Sequence, residues 1–180
     1  MAADDRRARR PAVPQPRPPD ADIAEVTDVL IVDDDADIRA ILTFTLEDAG
    51  YSVREAADGA QAVVAMQHRA PDFLVLDVMM PGVDGFGVLR SRRRLALAPH
   101  ARVLMLTAKT AEKDFARGWE LGADEYITKP FDPEDLLDTV RVLLEKSRRE
   151  LDARRESELK KAELLERLET AFNRPPMTSR

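Results

Sequence analysis

The sequence predicts an α/β protein: a doubly wound, five-stranded parallel sheet with helices on both faces and an extended helix at the C-terminal end. Two observations lead there. Short apolar runs alternate five times with helix-spaced amphipathic segments from Asp28 onward, the pattern of successive βα units joined by right-handed crossovers. Four of these runs also end in polar residues: 29–32 enters Asp33-Asp34-Asp35, 73–76 enters Asp77, 103–106 enters Thr107, and 125–128 enters Lys129-Pro130. Ligands bind at the carboxyl ends of the strands in an open parallel sheet, so acid pair, single acid, hydroxyl and amine converge on one candidate site.

The first strand, 29–32, is aliphatic throughout, as a strand covered on both faces should be. A helix near 36–49 follows, with Ile38, Ile41, Leu42 and Leu46 on one face and Gly50 stopping it. Strand 51–55 precedes a helix near 59–68, where Ala60, Val63, Val64 and Gln67 have helical spacing. Strand 73–76 leads through Pro81-Gly82 to a helix near 85–94, whose terminal Arg92-Arg93-Arg94 suits the helix dipole. Strand 102–106 precedes helix 111–121, closed by Gly122, and strand 125–128 precedes a helix opening at Asp132-Pro133, an N-cap followed by proline.

No glycine or proline interrupts 134–174, so that last helix is expected to continue past the domain, spanning roughly 60 Å at ~1.5 Å per residue. Leu137, Leu144, Leu151, Leu165 and Phe172 share a seven-residue register broken at Glu158. The companion positions Val140, Ser147, Arg154, Lys161 and Leu168 are polar in the middle. Glu145/Arg149, Glu150/Arg154, Glu156/Lys160 and Glu163/Arg167 are helix-supporting pairs four apart. Two readings stay open: a short coiled coil that makes a homodimer, and a single amphipathic helix that folds back or awaits a partner.

Composition narrows the function. Hydrophobic content of 44% supports a core, and the absence of Cys excludes disulfides, thiolate zinc sites and thiol catalysis. No stretch approaches ~18 apolar residues and no apolar leader is present, so no membrane is expected and the cytoplasm is the default. A net charge of −6 argues against direct nucleic-acid binding. Residues 1–26 hold Arg6, Arg7, Arg9, Arg10 and Arg17 among prolines and are expected to be a disordered, solvated leader. The expected division is then a domain over 27–146, a helical extension over 147–174 and a disordered tail over 175–180.

The chemistry follows from gathering the strand ends. Two unit charges ~4 Å apart repel by about 4 kcal/mol at an effective dielectric near 20, so clustered carboxylates require a cation. Oxygen-only ligands without Cys or clustered His point to Mg²⁺ or Mn²⁺. An Asp beside such an ion and a Lys is suited to attack phosphorus and become an aspartyl phosphate, with the Thr107 hydroxyl bonding a phosphoryl oxygen. Taken singly, Asp33, Asp34 or Asp77 reads as an N-cap or a solvated loop acid; the five groups together do not. His68 and His100 are isolated, and Trp119 is read as packing at the core edge ahead of docking a partner.

Val32-Asp33-Asp34, the run Asp77-Val78-Met79-Met80-Pro81-Gly82-Val83-Asp84-Gly85, Leu106-Thr107-Ala108 and the run from Gly122 to Phe131 resemble the receiver domain of two-component response regulators. The resemblance covers about residues 27–146. It implies a sheet in the order 2-1-3-4-5, Asp77 as phosphoacceptor, and Asp33 and Asp34 holding Mg²⁺ with Asp77 and the Met79 backbone carbonyl. It implies Lys129 pairing with the phosphoryl group, Thr107 and Tyr126 as switch hydroxyl and switch aromatic, and a cis Lys129–Pro130 bond. A sensor histidine kinase or phosphotransfer protein would be the donor, and an unknown protein the target. The chain would be no enzyme beyond its own phosphoryl transfer and dephosphorylation.

Met79 and Lys109 occupy places where receivers vary and tune phosphoryl lifetime. Thr139 stands where winged-helix regulators carry an Arg on a charged dimer face that also includes Asp124. Residues 147–180 are too few for a winged-helix domain, so no DNA-binding output is expected and the switch should act through protein–protein contact. Two other classes compete. A phosphohydrolase of the dehalogenase type places a second Asp two residues after its nucleophile, where Met79 stands here. A phosphorylation-independent scaffold acting through the long helix would leave the acceptor set idle.

Overall fold

The computed structural model describes residues 26–108 and 112–172, with the side chains of 112–114 and 171–172 outside that description. Apart from Val26, the expected leader and tail fall outside these residues, as does Lys109. In chain order the elements are β1 (Asp28–Val32), α1 (Ala36–Asp48), β2 (Ser52–Ala56), α2 (Gly59–His68), β3 (Phe73–Asp77) and α3 (Gly85–Arg94). Then come β4 (Arg102–Ala108), α4 (Glu112–Leu121), β5 (Glu125–Lys129), α5 (Pro133–Glu145) and α6 (Arg148–Phe172).

The five strands form one parallel sheet in the order β2-β1-β3-β4-β5. Side chains alternate between faces along a strand, so the apolar strands need cover on both sides. Leu30, Val32, Leu74, Leu76, Val103 and Met105 face one side and pack with Ala62 and Met66 of α2 and Phe86, Val88 and Leu89 of α3. Val29, Ile31, Phe73, Val75, Leu104 and Leu106 face the other and meet Leu42 and Leu46 of α1 and Leu136, Val140 and Leu143 of α5. The sheet thus sits between two helical layers, with its carboxyl edge open. Ile41, expected on the buried face of α1, is instead 50% exposed, while Leu42 and Leu46 are sealed.

The C-terminal rod predicted from the lack of glycine and proline does not form. α5 ends at Glu145, Lys146 is extended (φ −68, ψ 137), and a second helix starts at Arg148. Two features end α5. Arg102 donates from Nε to the Leu143 carbonyl at 2.8 Å and from Nη2 to the Lys146 carbonyl at 3.0 Å, satisfying terminal acceptors. Ser147-Arg148-Arg149-Glu150 is a capping box: the Ser147 amide and hydroxyl donate to Glu150 Oε2 at 2.8 and 2.6 Å, and the Glu150 amide donates to Ser147 Oγ at 3.3 Å. A new helix start is therefore encoded where the pattern alone shows an unbroken run.

α6 folds back across the molecule. Leu151 is 1% exposed within the α1–α5 layer, a burial of the size that contributes roughly 1.5–3 kcal/mol. Leu137 and Leu144 also pack on that layer, so the seven-residue register serves the core over its first half. Beyond Ala162 every residue through Thr170 is exposed, including Leu164, Leu165 and Leu168. Trp119 is buried on α4 at 6% exposure, consistent with the packing role. Among the described residues, no helix is long and apolar enough to cross a membrane.

Candidate functional site

Asp33 directly follows β1 and is fully buried. It is held from three sides: its amide donates to the Ala56 carbonyl at 3.3 Å, its Oδ1 accepts the Asp35 amide at 2.9 Å, and its carbonyl accepts Arg39 Nη1 at 2.7 Å. Asp35, not Asp33 or Asp34, is the N-cap of α1, accepting the Asp37 and Ile38 amides. That frees the other two acids to face the sheet edge. Asp34 is exposed at the mouth.

Asp77 is the last residue of β3 and is 3% exposed. The loop after it is gripped by two glycines. A Cβ on Gly85 would come 2.3 Å from the Asp77 carbonyl oxygen, and one on Gly59 would come 2.3 Å from that of Val83. Asp84 then caps α3 through the Gly87 amide at 2.6 Å. The Met79 side chain points outward, 64% exposed, while its amide donates to the Asp77 carboxylate.

Lys129, the last residue of β5, reaches across the end of β4. Its Nζ lies 2.7 Å from Asp33 Oδ2 and 3.0 Å from Asp77 Oδ1. The Lys129–Pro130 bond is cis, matching the expectation. Desolvation raises the Asp77 carboxyl above its ordinary 3.8; the Lys129 hydrogen bond and charge pull it back only in part, and Asp33 adds to the rise. Burial would by itself lower the Lys129 ammonium, but its bonds to Asp33 and Asp77 outweigh that and hold it above 10.5. Among the described residues, one ammonium is thus shared by two dry carboxylates.

That sharing bears on metal fit. One carboxylate oxygen from each of Asp33, Asp34 and Asp77 lies within 4.8 Å of the others. The donors are all hard oxygens, and among the described residues three acids face a single ammonium, so the cluster fits a divalent cation of the magnesium type.

Thr107 is buried on β4, between the level of Asp77, which registers with Leu106, and that of Lys129, which registers with Ala108. Its hydroxyl donates to the Ala108 carbonyl at 2.8 Å. Tyr126 sits under α4: its hydroxyl donates to the Phe115 carbonyl at 3.2 Å, and its ring meets Phe115 and Trp119 edge-on at 4.7 and 5.3 Å. A Cβ on Gly118 would stand 1.6 Å from that hydroxyl, so Gly118 makes the space the tyrosine occupies. The fold thus gathers Asp33, Asp34, Asp77, Thr107 and Lys129 at one edge, with Tyr126 one helix away. His68 ends α2 and His100 precedes β4, both at the opposite edge of the sheet. Sequence reasoning missed Arg39 and Gly118, which carried no local signal, and placed Gly85 in the motif run after Asp77 without assigning it the close approach seen here.

The response regulator receiver domain family matches residues 29–141. The chain belongs to that family. This receiver is 42% identical over 131 residues to the DNA-binding dual master transcriptional regulator RpaA of Synechocystis, covering 73% of this chain and 54% of that protein. It is 43% identical over 119 residues to the alkaline phosphatase synthesis transcriptional regulatory protein PhoP of Bacillus subtilis, covering 66% and 49%. The chain spans about half the length of these relatives. Among solved structures, the receiver resembles the chemotaxis response regulator CheY4 of Vibrio cholerae, with a TM-score of 0.62 and 37% identity over 66% of this chain and 98% of that one. It also resembles the response regulator DrrB of Thermotoga maritima, with a TM-score of 0.60 and 32% identity over 67% and 53%.

Proposed function

We propose that this receiver accepts a phosphoryl group on Asp77 from a histidine kinase or phosphotransfer protein and changes its protein contacts in response. The observation that carries the reading is the single acid at the end of β3, 3.0 Å from Lys129 and grouped with Asp33 and Asp34. An Asp77 carboxylate oxygen attacks phosphorus as the bond from phosphorus to the donor's imidazole nitrogen breaks. That nitrogen leaves with the electron pair, and Asp77 becomes a mixed acyl phosphate.

Asp33, Asp34, Asp77 and the Met79 backbone carbonyl are the groups that would hold Mg²⁺, or Mn²⁺. A divalent ion supplies charge neutralisation at the phosphoryl oxygens when bound. Lys129 leaves its shared position to pair with the phosphoryl group, and the Thr107 hydroxyl bonds another of its oxygens. Tyr126, the switch aromatic, follows Thr107. The chain catalyses only its own phosphoryl transfer and dephosphorylation in this reading, and a cytoplasmic kinase donor places it in the cytoplasm. A homodimer through the C-terminal helix would use the exposed Leu164, Leu165 and Leu168, because Leu137, Leu144 and Leu151 serve the core.

No direct nucleic-acid contact is part of this reading. The names of RpaA and other relatives favour a second one, in which the receiver governs DNA binding; promoter-fragment retention that rises on phosphorylation would support it. The competing scaffold reading leaves Asp77 unmodified. Incubation with Mg²⁺ and acetyl phosphate, read by intact mass and by site mapping, separates these. One phosphoryl group on Asp77 supports the proposal, and its absence supports the scaffold.

A further inference from the structure

The α4–β5 face of this receiver is covered by its own α6. β5 is an edge strand of the sheet, with α4 beside it, and α6 lies against α4 and the start of β5. The contact is specific. Arg155 Nη2 lies 2.6 Å from Asp124 Oδ1 and Arg155 Nε donates to the Ala123 carbonyl at 3.0 Å. Arg148 stands 3.7 Å from the same Asp124 oxygen and donates to the Pro99 and Ala101 carbonyls at 3.2 and 3.4 Å. Arg154 forms an ion pair with Glu125. Asp124 has no exposed side-chain surface, and its second oxygen accepts the Val103 amide at 2.9 Å. Two of the cations beside this buried carboxylate belong to α6, and removing one partner of a buried pair is costly.

The two ends of α6 are held differently. The capping box, Leu151 and the three arginines fix residues 147–155. The distal half stands over a groove of about 850 Å³ that it lines together with Ala116, Arg117 and Glu120 of α4. Leu159, Ala162 and Leu165 line this groove beside Glu156, Glu163, Glu166 and Glu169, with Glu120, Arg117 and the Glu156-paired Lys160 in the same lining. The helix is tied to the start of β5 by ion pairs and lies along α4 over the rest of its seat.

The seat is also mechanically joined to the candidate site. Glu125, which takes Arg154, is adjacent to Tyr126, and Tyr126 is wedged beneath α4 at Gly118 and bonded to Phe115. At the other end of the same strand is Lys129, bridging Asp33 and Asp77. A shift of Tyr126 therefore alters α4 and the Asp124–Glu125 corner together.

We propose that α6 is an internal occupant of the α4–β5 interaction surface, held by Arg154 and Arg155, and that phosphorylation of Asp77 releases it. The proposal rests on the reading of Asp77 as phosphoacceptor. Release exposes the Asp124 and Glu125 carboxylates and the Ala116–Glu120 face of α4, a surface fitted to a protein partner that presents basic side chains in place of the arginines. Since α6 and such a partner need the same seat, the unphosphorylated chain is held off.

The chain has no cysteine, so spin labels at Glu120→Cys and Glu163→Cys go to those positions alone. The labelled 180-residue chain is read by pulsed dipolar spectroscopy, with the intact mass of each sample taken alongside. Without phosphoryl donor the expected distribution is short and narrow. With Mg²⁺ and acetyl phosphate it lengthens and broadens in the modified fraction, and Asp77→Asn keeps it short. Arg155→Ala lengthens it without any donor. Glu125→Arg also lengthens it, and Arg154→Glu added to Glu125→Arg restores the short distance. A sample fully modified on Asp77 that keeps the short distance overturns release while leaving the phosphoacceptor reading intact. A sample that takes up no phosphoryl group overturns both. Arg155→Ala and Glu125→Arg proteins that keep the short distance overturn the assignment of the arginine ties.

Discussion

Lys129 Nζ stands 3.0 Å from Asp77 although β4 lies between their strands, and the same nitrogen is 2.7 Å from Asp33 on the far side of β3. One ammonium thus bridges the carboxyl ends of β1, β3 and β5. Among the described residues, the arrangement gathers the carboxylates of Asp33, Asp34 and Asp77 around one ammonium.

Lys129→Ala should expose that dependence. Removing one partner of a buried pair costs roughly 3–5 kcal/mol, and the 20% exposure of the Lys129 side chain moves the cost toward the low end. A lower melting temperature in chelator is expected, with a larger recovery on adding Mg²⁺ than in the parent protein, because a ligand stabilises the folded state by RT ln(1 + [L]/Kd). The variant should bind Mg²⁺ yet fail to shift its contacts on phosphorylation. Equal Mg²⁺ stabilisation of the two proteins would count against the shared-cation account.

Gly85→Ala tests how the loop after Asp77 is held. The added methyl would stand 2.3 Å from the Asp77 carbonyl oxygen and 3.0 Å from the Val78 Cα, both backbone atoms. Overpacking of this kind costs typically about 1–3 kcal/mol. A lowered urea midpoint and slower uptake of phosphoryl groups are expected; a midpoint within error of the parent would show that the loop yields.

Tyr126 offers a direct optical test. Gly118→Ala puts a methyl 1.6 Å from its hydroxyl, so the ring must leave its place beside Trp119. Trp119 is the sole tryptophan of the chain, and its emission should change in this variant without any phosphoryl donor. Identical emission spectra would mean that Tyr126 does not contribute to the environment of α4.

The helix break carries a pH signature. The Ser147 hydroxyl, followed by its amide, lowers the Glu150 carboxyl below its ordinary 4.5. A depressed carboxyl contributes stability that is present above its unfolded value and lost as pH falls through the folded one. Backbone hydrogen exchange in α6 should therefore rise as pH is taken below 4.5, once corrected for intrinsic rates, and Glu150→Ala should flatten that rise. A parent protein with pH-independent protection would contradict the role of the capping box.

Much of this molecule is legible from its sequence for a simple reason: the parallel strands are apolar throughout and the polar residues gather at their carboxyl ends. Asp33, Asp77 and Lys129 could be placed at one edge because strand order needs only the βα alternation and the right-handed crossover. The broken C-terminal helix was misread because periodicity and the absence of glycine and proline outweighed Ser147-Arg148-Arg149-Glu150, whose capping signature was present but unread. Ile41 lies on the same helical stripe as Leu42, and only the packing of α5 decides which of them is covered. The partnership of Arg148 and Arg155 with Asp124 had no local signal, since residues 24 and 31 apart (148 − 124 and 155 − 124) meet only once α6 folds back.

The central claim is that Asp77 is the phosphoacceptor. The measurement that tests it most directly is the intact mass of the full chain after incubation with Mg²⁺ and acetyl phosphate, compared with Asp77→Asn. The account predicts the gain of one phosphoryl group in the parent protein, mapped to Asp77, and none in the variant. A gain of the same mass in Asp77→Asn, at another residue, would contradict it.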